Sequence, residues 1–387
     1  MFLHRRFRSR HLINLLHNLG WSVSYSEIYH NTRTVDGHGT FHVMGGVQCV
    51  TPASAVQTSS CIQRPKIIPT ANIVGKFRFI PIVTHDWLKN HGLNRLVMEN
   101  VLSLKLRPMD VKIGTIYHWI WMAGPTSAEE PHTGWSGFME IAAGKKCYEK
   151  SAVMPLPFVN LQPFNPTSIN TCLRFAAEEY KKRQQRCIVT FDQSLFIKDM
   201  DIVFRADETD ELSKVIVKLN RFHLLMSYMG AVGKIMGGSS LEQMWCEVFA
   251  KKIVVHMANG QAYARVLRAH SLSQAAVGFL ILEYCEKSGF LSGSDVETLR
   301  GIHNMVINLS SSEEYFLSKV KPLLSAVSSA MKTLEKRSRT AKLWLQYYKK
   351  VSLMHDFVRV ERTGDWNLHL YFVQRMLVHL HTAGHIH

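Results

Sequence analysis

The chain has 387 residues, 46% of them hydrophobic, enough to bury a sizeable core and to exclude wholesale disorder. Its 46 Lys and Arg against 30 Asp and Glu leave a formal charge of +16. An excess of that size favours phosphate-rich partners through counterion release, with membrane surfaces and acidic proteins as the other partners a basic chain meets.

At the start, Arg5, Arg6, Arg8 and Arg10 lead into Leu12, Leu15, Leu16 and Leu19 at helical spacing, and Gly20 supplies a stop. Ser22, Ser24 and Ser26 are candidate N-caps for a second short helix. Residues 1–30 therefore read as a basic helical segment, compatible with a helix-turn-helix and equally with an ordinary helical hairpin behind a basic lead-in. The acid-free, Arg-rich start also has the look of a presequence, but it fits a folded element better.

Residues 31–166 read as an irregular, strand-rich region. Asp36-Gly37 marks a hairpin turn before Thr40 to Val43, and the Ser/Thr/Pro-rich stretch from Thr51 to Pro69 predicts a long loop. Tyr117, Trp119, Trp121, Trp135, Phe138 and Tyr148 are expected as core or loop anchors rather than platforms for stacked bases. Regular structure is predicted from residue 167. An amphipathic helix over Ser168 to Arg186 precedes a buried-strand run, Cys187 to Phe191. A second strand over Lys214 to Leu219 and a helix from Phe222 to Met236 complete an α/β core at 167–238. Residues 239–387 read as helix, with breaks near Gly289, Ser310 and Gly364. The fold class expected is α/β plus α.

Charge is unevenly spread. Through His85 nine Arg or Lys face two acids, Glu27 and Asp36. Lys181, Lys182, Arg183 and Arg186 form a second basic segment, and Lys336, Arg337 and Arg339 lie in a third that runs to Lys350. Together with the N-terminal arginines these are the candidate nucleic-acid contacts, and Asp199 to Glu211 reads as an acidic patch. The seven cysteines form no C-x-x-C pair and read as reduced, mostly buried thiols of an intracellular, nuclear protein. With no apolar run of about 18 residues, no membrane span is expected.

Four side chains are candidates for chemistry. Asp192 follows a buried strand, where open α/β sheets place ligand-binding groups; the plainer reading is a cap for a helix beginning at Gln193. His223 opens the next helix, suited to a metal or phosphate and equally to a satisfied core-edge histidine. Glu361 and Asp365 are four apart, although Gly364 interrupts the helix and makes Asp365 an N-cap candidate too. Gly230-Ala231-Val232-Gly233-Lys234 lacks the spacing and the Ser or Thr of a phosphate loop.

Four stretches recur in order: Thr34-Val35-Asp36-Gly37-His38-Gly39-Thr40-Phe41-His42, Val189-Thr190-Phe191-Asp192-Gln193, Phe222-His223-Leu224-Leu225-Met226-Ser227-Tyr228 and Glu361-Arg362-Thr363-Gly364-Asp365-Trp366. In these the chain resembles multi-copy, transposase-like proteins of invertebrate genomes that derive from transposable elements. The resemblance implies an RNase H-like core with helical insertions, DNA as partner, and strand cleavage or transfer with Mg²⁺ or Mn²⁺. It also implies Asp192 and Glu361 or Asp365 as metal ligands, with His223 as an auxiliary group. In that group an acidic segment precedes the Thr-x-Asp-Gly hairpin. Here the chain passes from Ser26-Glu27-Ile28-Tyr29-His30 straight to Asn31, so a first metal ligand is expected to be missing. The end of the chain, inside what the group continues as a helix, likewise suggests an abridged copy. A non-catalytic nucleic-acid-binding protein and a helical protein–protein interaction module are the alternatives.

Overall fold

The computed structural model describes residues 21–31, 40–50, 80–86, 103, 111–124, 133–142, 152–159, 161–181, 187–309, 313–363 and 366–384. Two compact units emerge, each made of two chain segments. One comprises Met1–Leu104 with Tyr148–Leu224, the other Lys105–Cys147 with Leu225–His387.

The first unit is built on a five-stranded sheet. Strand β1 (Trp21–Asn31) pairs antiparallel with β2 (Thr40–Val50), from Trp21 opposite Val50 to Asn31 opposite Thr40. This corrects the expectation of a second helix. Ser22, Ser24 and Ser26 alternate with Trp21, Val23 and Tyr25, a period of two that suits a pleated strand and not a helix. Thr40 to Val43 of the expected hairpin are in β2, while its turn at Asp36-Gly37 and the residues leading into it lie outside the described residues. Strand β3 (Ala152–Pro155) adds to β2 antiparallel. On the other side β4 (Cys187–Phe191) lies parallel to β1, with Ser22, Val23 and Ser24 opposite Ile188, Val189 and Thr190. Strand β5 (Val215–Leu219) lies parallel to β4, giving the order β3-β2-β1-β4-β5.

Helices α3 (Pro166–Lys181) and α4 (Gln193–Phe204) cover this sheet. Ile169, Cys172, Leu173 and Ala176 recur at helical spacing on α3 and pack with Cys187, Val189 and Phe191 of β4 and with Leu195 and Ile202 of α4. The extended segment 80–86 is strapped to α3: the Val83 and His85 amides donate to the hydroxyls of Thr171 and Thr167, and Asn170 Nδ2 donates to the Val83 carbonyl. Arg174 grips Asp210 with both guanidinium nitrogens, at 3.1 and 2.9 Å. The acidic patch expected at Asp199 to Glu211 is therefore only partly a surface feature. Asp199 is fully buried with neither oxygen hydrogen-bonded, and burial lifts its carboxyl well above the usual range.

The second unit is helical. Helices α1 (Val111–Met122) and α2 (Trp135–Ala142) come from the stretch expected to be irregular. They join α5 (Arg221–Ile235, beginning in the first unit), α6 (Leu241–Cys246), α7 (Lys251–Ala258), α8 (Tyr263–Lys287), α9 (Gly293–Ile307), α10 (Glu313–Arg337), α11 (Arg339–Thr363) and α12 (Trp366–Thr382). The tryptophans belong to its core, as aromatic anchors should. Trp119 stacks on Tyr348 with centroids 5.4 Å apart, and Trp135 stacks on His355 at 4.8 Å.

Gly230 and Gly233 of α5 lie against the backbone of Ala258 to Gly260. A Cβ on Gly233 would come 2.2 Å from the Ala258 carbonyl oxygen. That close approach accounts for the glycines of the failed phosphate-loop string: they let two backbones meet. Gly260, at φ +78°, turns the chain there. Of the five described cysteines, four are buried and Cys246 is exposed. No helix among the described residues is long and apolar enough to cross a membrane.

Candidate functional site at the carboxyl ends of the parallel strands

From β1 the chain builds outward through β2 and β3, then returns to place β4 on the other flank of β1. The carboxyl end of β4 therefore lies beside the middle of the longer β1, with Phe191 level with Tyr25. Asp192 is the residue immediately after β4, and Asn220 the residue immediately after β5. The Asn220 amide donates to the Phe191 carbonyl at 3.1 Å, extending the ladder by one bond and bringing Asn220 beside Asp192.

Asp192 is the N-cap residue of α4 by position, and its carbonyl accepts from the Leu195 and Phe196 amides. Its carboxylate makes no capping hydrogen bond. It turns instead to Asn220, whose Nδ2 donates to Asp192 Oδ1 at 3.2 Å, and to His223, whose Nε2 lies 3.3 Å from the same oxygen. Asn220 caps α5 at the same time, its Oδ1 accepting from the Phe222 amide at 3.1 Å. Both interactions fall on Oδ1, and both side chains are about 30% exposed (29% for Asp192, 31% for His223). One row back on the sheet, Thr190 and Lys218 stand opposite each other and are buried. Continued by two residues, the β1–β4 register brings Ser26 level with Asp192, and Glu27 follows it.

Asp192 and His223 are thus brought together within one unit. Glu361 belongs to the other unit: it is buried on α11 in contact with His369 of α12, against which Phe357 packs at 5.4 Å. Asp365 lies outside the described residues, as do Arg5, Arg6, Arg8, Arg10, Lys182, Arg183 and Arg186. Lys181 closes α3 with its side chain likewise outside them. Lys336, Arg337 and Arg339 are exposed at the junction of α10 and α11.

Among the described residues no group of three His, Cys, Asp or Glu is arranged to hold a metal ion. One carboxylate with a neighbouring imidazole falls short of the two or three carboxylates of a two-metal centre. It does suit a single water-rich Mg²⁺ or Mn²⁺, an ion usually held by one or two carboxylates plus substrate phosphate. Asn220, which sequence reasoning missed, fixes the carboxylate. Its signal was available in Leu219-Asn220-Arg221: an Asn between a strand and a helix is a cap.

Residues 134–387 match the model of a domain of unknown function, DUF8702. The chain belongs to the DUF8702 family. The matched span contains β3 to β5, Asp192, Asn220, His223 and Glu361, while β1 and β2 precede it. No curated protein and no solved structure matches.

Proposed function

We propose that this DUF8702 protein is a transposon-derived DNA-binding protein that carries a vestigial, metal-dependent strand-cleavage site on an RNase H-like core. The single observation behind the reading is the Asp192 carboxylate. It stands at the carboxyl end of β4, withheld from the cap it is placed to make and oriented by Asn220 and His223. A five-stranded sheet in the order β3-β2-β1-β4-β5, with β2 alone running against the rest and helices packed on it, supports an α/β core in this reading. The charge of +16 supports a phosphate-rich partner.

In this reading Asp192 would hold a divalent ion, which would supply positive charge to neutralise a phosphodiester and favour attack by water. Asn220 keeps the carboxylate from rotating back to the α4 amides. His223, beside Oδ1, places an imidazole next to the site, a group of the kind that passes protons to departing oxygens. The site is vestigial because β1, level with Asp192, offers Ser26 where a second carboxylate would complete it. DNA binding persists without cleavage in the second reading, which the same absence favours.

A titration of Mg²⁺ or Mn²⁺ with labelled duplex DNA, scoring binding and nicking against Asp192→Ala, tests both readings. Salt-sensitive binding with slow, metal-dependent nicking that vanishes in Asp192→Ala is expected. Binding with no nicking leaves the non-catalytic reading. Binding that ignores ionic strength, or none at all, removes DNA as partner and favours a packed protein interface.

A further inference from the structure

Helices α10 and α11 are joined by a single residue, Ser338, whose hydroxyl accepts from the Ala341 amide at 3.0 Å and caps α11. Around this stiff corner stand Lys332, Lys336, Arg337, Arg339 and Lys342, all exposed. The nearest acid, Glu335, is engaged by Lys349 at 3.4 Å. Among the described residues none of the five cations reaches a carboxylate within ion-pair distance. Lys336 and Arg337 need no further explanation, because cations at a helix C-terminus suit its dipole. Arg339 and Lys342 do. They occupy the first turn of α11, the end that repels positive charge, and that turn contains no acid to offset them. A local rule broken at an exposed, rigid corner marks a place where an external anion supplies the missing charge.

Resting on the DNA reading above, we propose that the α10–α11 corner is a second, metal-independent anchor that grips the sugar–phosphate backbone of duplex DNA without reading its sequence. A duplex fits better than an isolated anion. Five cations spread over two helix ends match a row of phosphates, and the two arginines present forks suited to phosphate oxygens. No base-reading side chain is needed for such a grip, so its contribution is the same on every sequence.

The test uses the full chain and a labelled duplex of random sequence over a salt series, with Lys336→Ala/Arg337→Ala/Arg339→Ala/Lys342→Ala compared with the parent. All four positions are exposed, and a thermal melt verifies that the fold is kept. The slope of log K against log salt should fall by about 3 to 4, close to 0.9 for each phosphate no longer neutralised, with affinity down about tenfold or more at low salt. Arg337→Lys/Arg339→Lys should keep most of the slope. If the parent binds and the fourfold variant binds with an unchanged slope, the corner is not the anchor, while the DNA reading stands. If the parent itself fails to bind duplex, both ideas fall. Phosphatidylserine vesicles provide the last arm: vesicle binding abolished in the variant with DNA binding intact would assign the corner to an anionic membrane surface and overturn the proposal.

Discussion

Asn220 divides its amide between two tasks: Oδ1 accepts the Phe222 amide at the start of α5, and Nδ2 donates to Asp192 at the end of β4. A helix start and a carboxylate from different strands are thereby locked to one planar group. Rotating the amide to serve either task alone would break the other.

Asn220→Ala should therefore cost about 1 kcal/mol of stability through removal of the cap, read as a lower thermal midpoint. It should also free the Asp192 carboxylate to take the α4 amides and so weaken any Asp192-dependent nicking. Asn220→Asp keeps the cap but sets a second carboxylate beside Asp192. Its thermal midpoint should stay above that of Asn220→Ala, because the cap is kept. A midpoint no higher than that of Asn220→Ala would show that the cap contributes nothing.

Ser26→Asp places a carboxylate level with Asp192 on the neighbouring parallel strand. If that level is the other half of the site, Mn²⁺ binding by calorimetry should tighten and nicking rise by about tenfold or more, since two carboxylates hold and polarise a divalent ion better than one. Equal metal affinity in parent and variant would locate the second ligand elsewhere.

The helical unit should lose stability in mild acid. Burial holds His118 and His270 down to about 3, with Arg359 adding to the effect on His118, and burial holds His355 well below the usual imidazole range. A histidine depressed on folding contributes stability that is intact above its unfolded value of about 6.5 and is lost as the pH falls toward 3. Asp356 works the other way. Burial raises it to about 7, against the pull of Arg359, so it releases stability as pH rises from about 4 to 7. Asp199 in the first unit has the same sign. In the helical unit the depressed histidines outnumber the one raised acid, so the net effect is a loss of stability as the pH falls below about 6.5. Thermal melts between pH 7 and 4 should show that decline, steeper in Asp356→Asn and shallower in His118→Phe. A flat profile would mean these imidazoles meet water.

Gly233→Ala should destabilise by about 1–3 kcal/mol, the usual range for overpacking, because the approached atom is a backbone carbonyl that cannot swing aside. Gly301→Ala, on α9 with open space around it, is the matched control and should be neutral or slightly stabilising. Similar denaturant midpoints for the two variants would contradict the close approach.

Much of the second half was legible because its signals are local. The β-branched run 187–191, the Leu/Met periodicity after Phe222 and the glycine breaks each specify an element within a few residues of themselves. Strand β1 was not. Its serines satisfy a helix-cap rule as readily as a strand's alternation, and what decides between them is pairing with β4, more than 160 residues on. Helices α1 and α2 failed for a related reason. Helix α1 is hydrophobic nearly all round and shows little amphipathic contrast, and α2 has only eight residues in which to show a period; both are buried by segments far along the chain. Asp192 was legible as a position but not as a role, since both readings of it put it at the start of α4. Only the direction of its carboxylate separates them, and that depends on Asn220.

The crossing of segments between the two units has a consequence for how the chain must be made. Trp119, Trp121 and Trp135 leave the ribosome well before α8 to α11, the helices that bury them. Strand β1 likewise waits for β4 to emerge before it has its parallel neighbour. During that interval a bare sheet edge and an aromatic surface are open together, the condition under which nascent chains aggregate or recruit chaperones. Cutting the protein between 224 and 225 therefore cannot yield two folded halves, for the piece that keeps the sheet also keeps the first two helices of its neighbour's core.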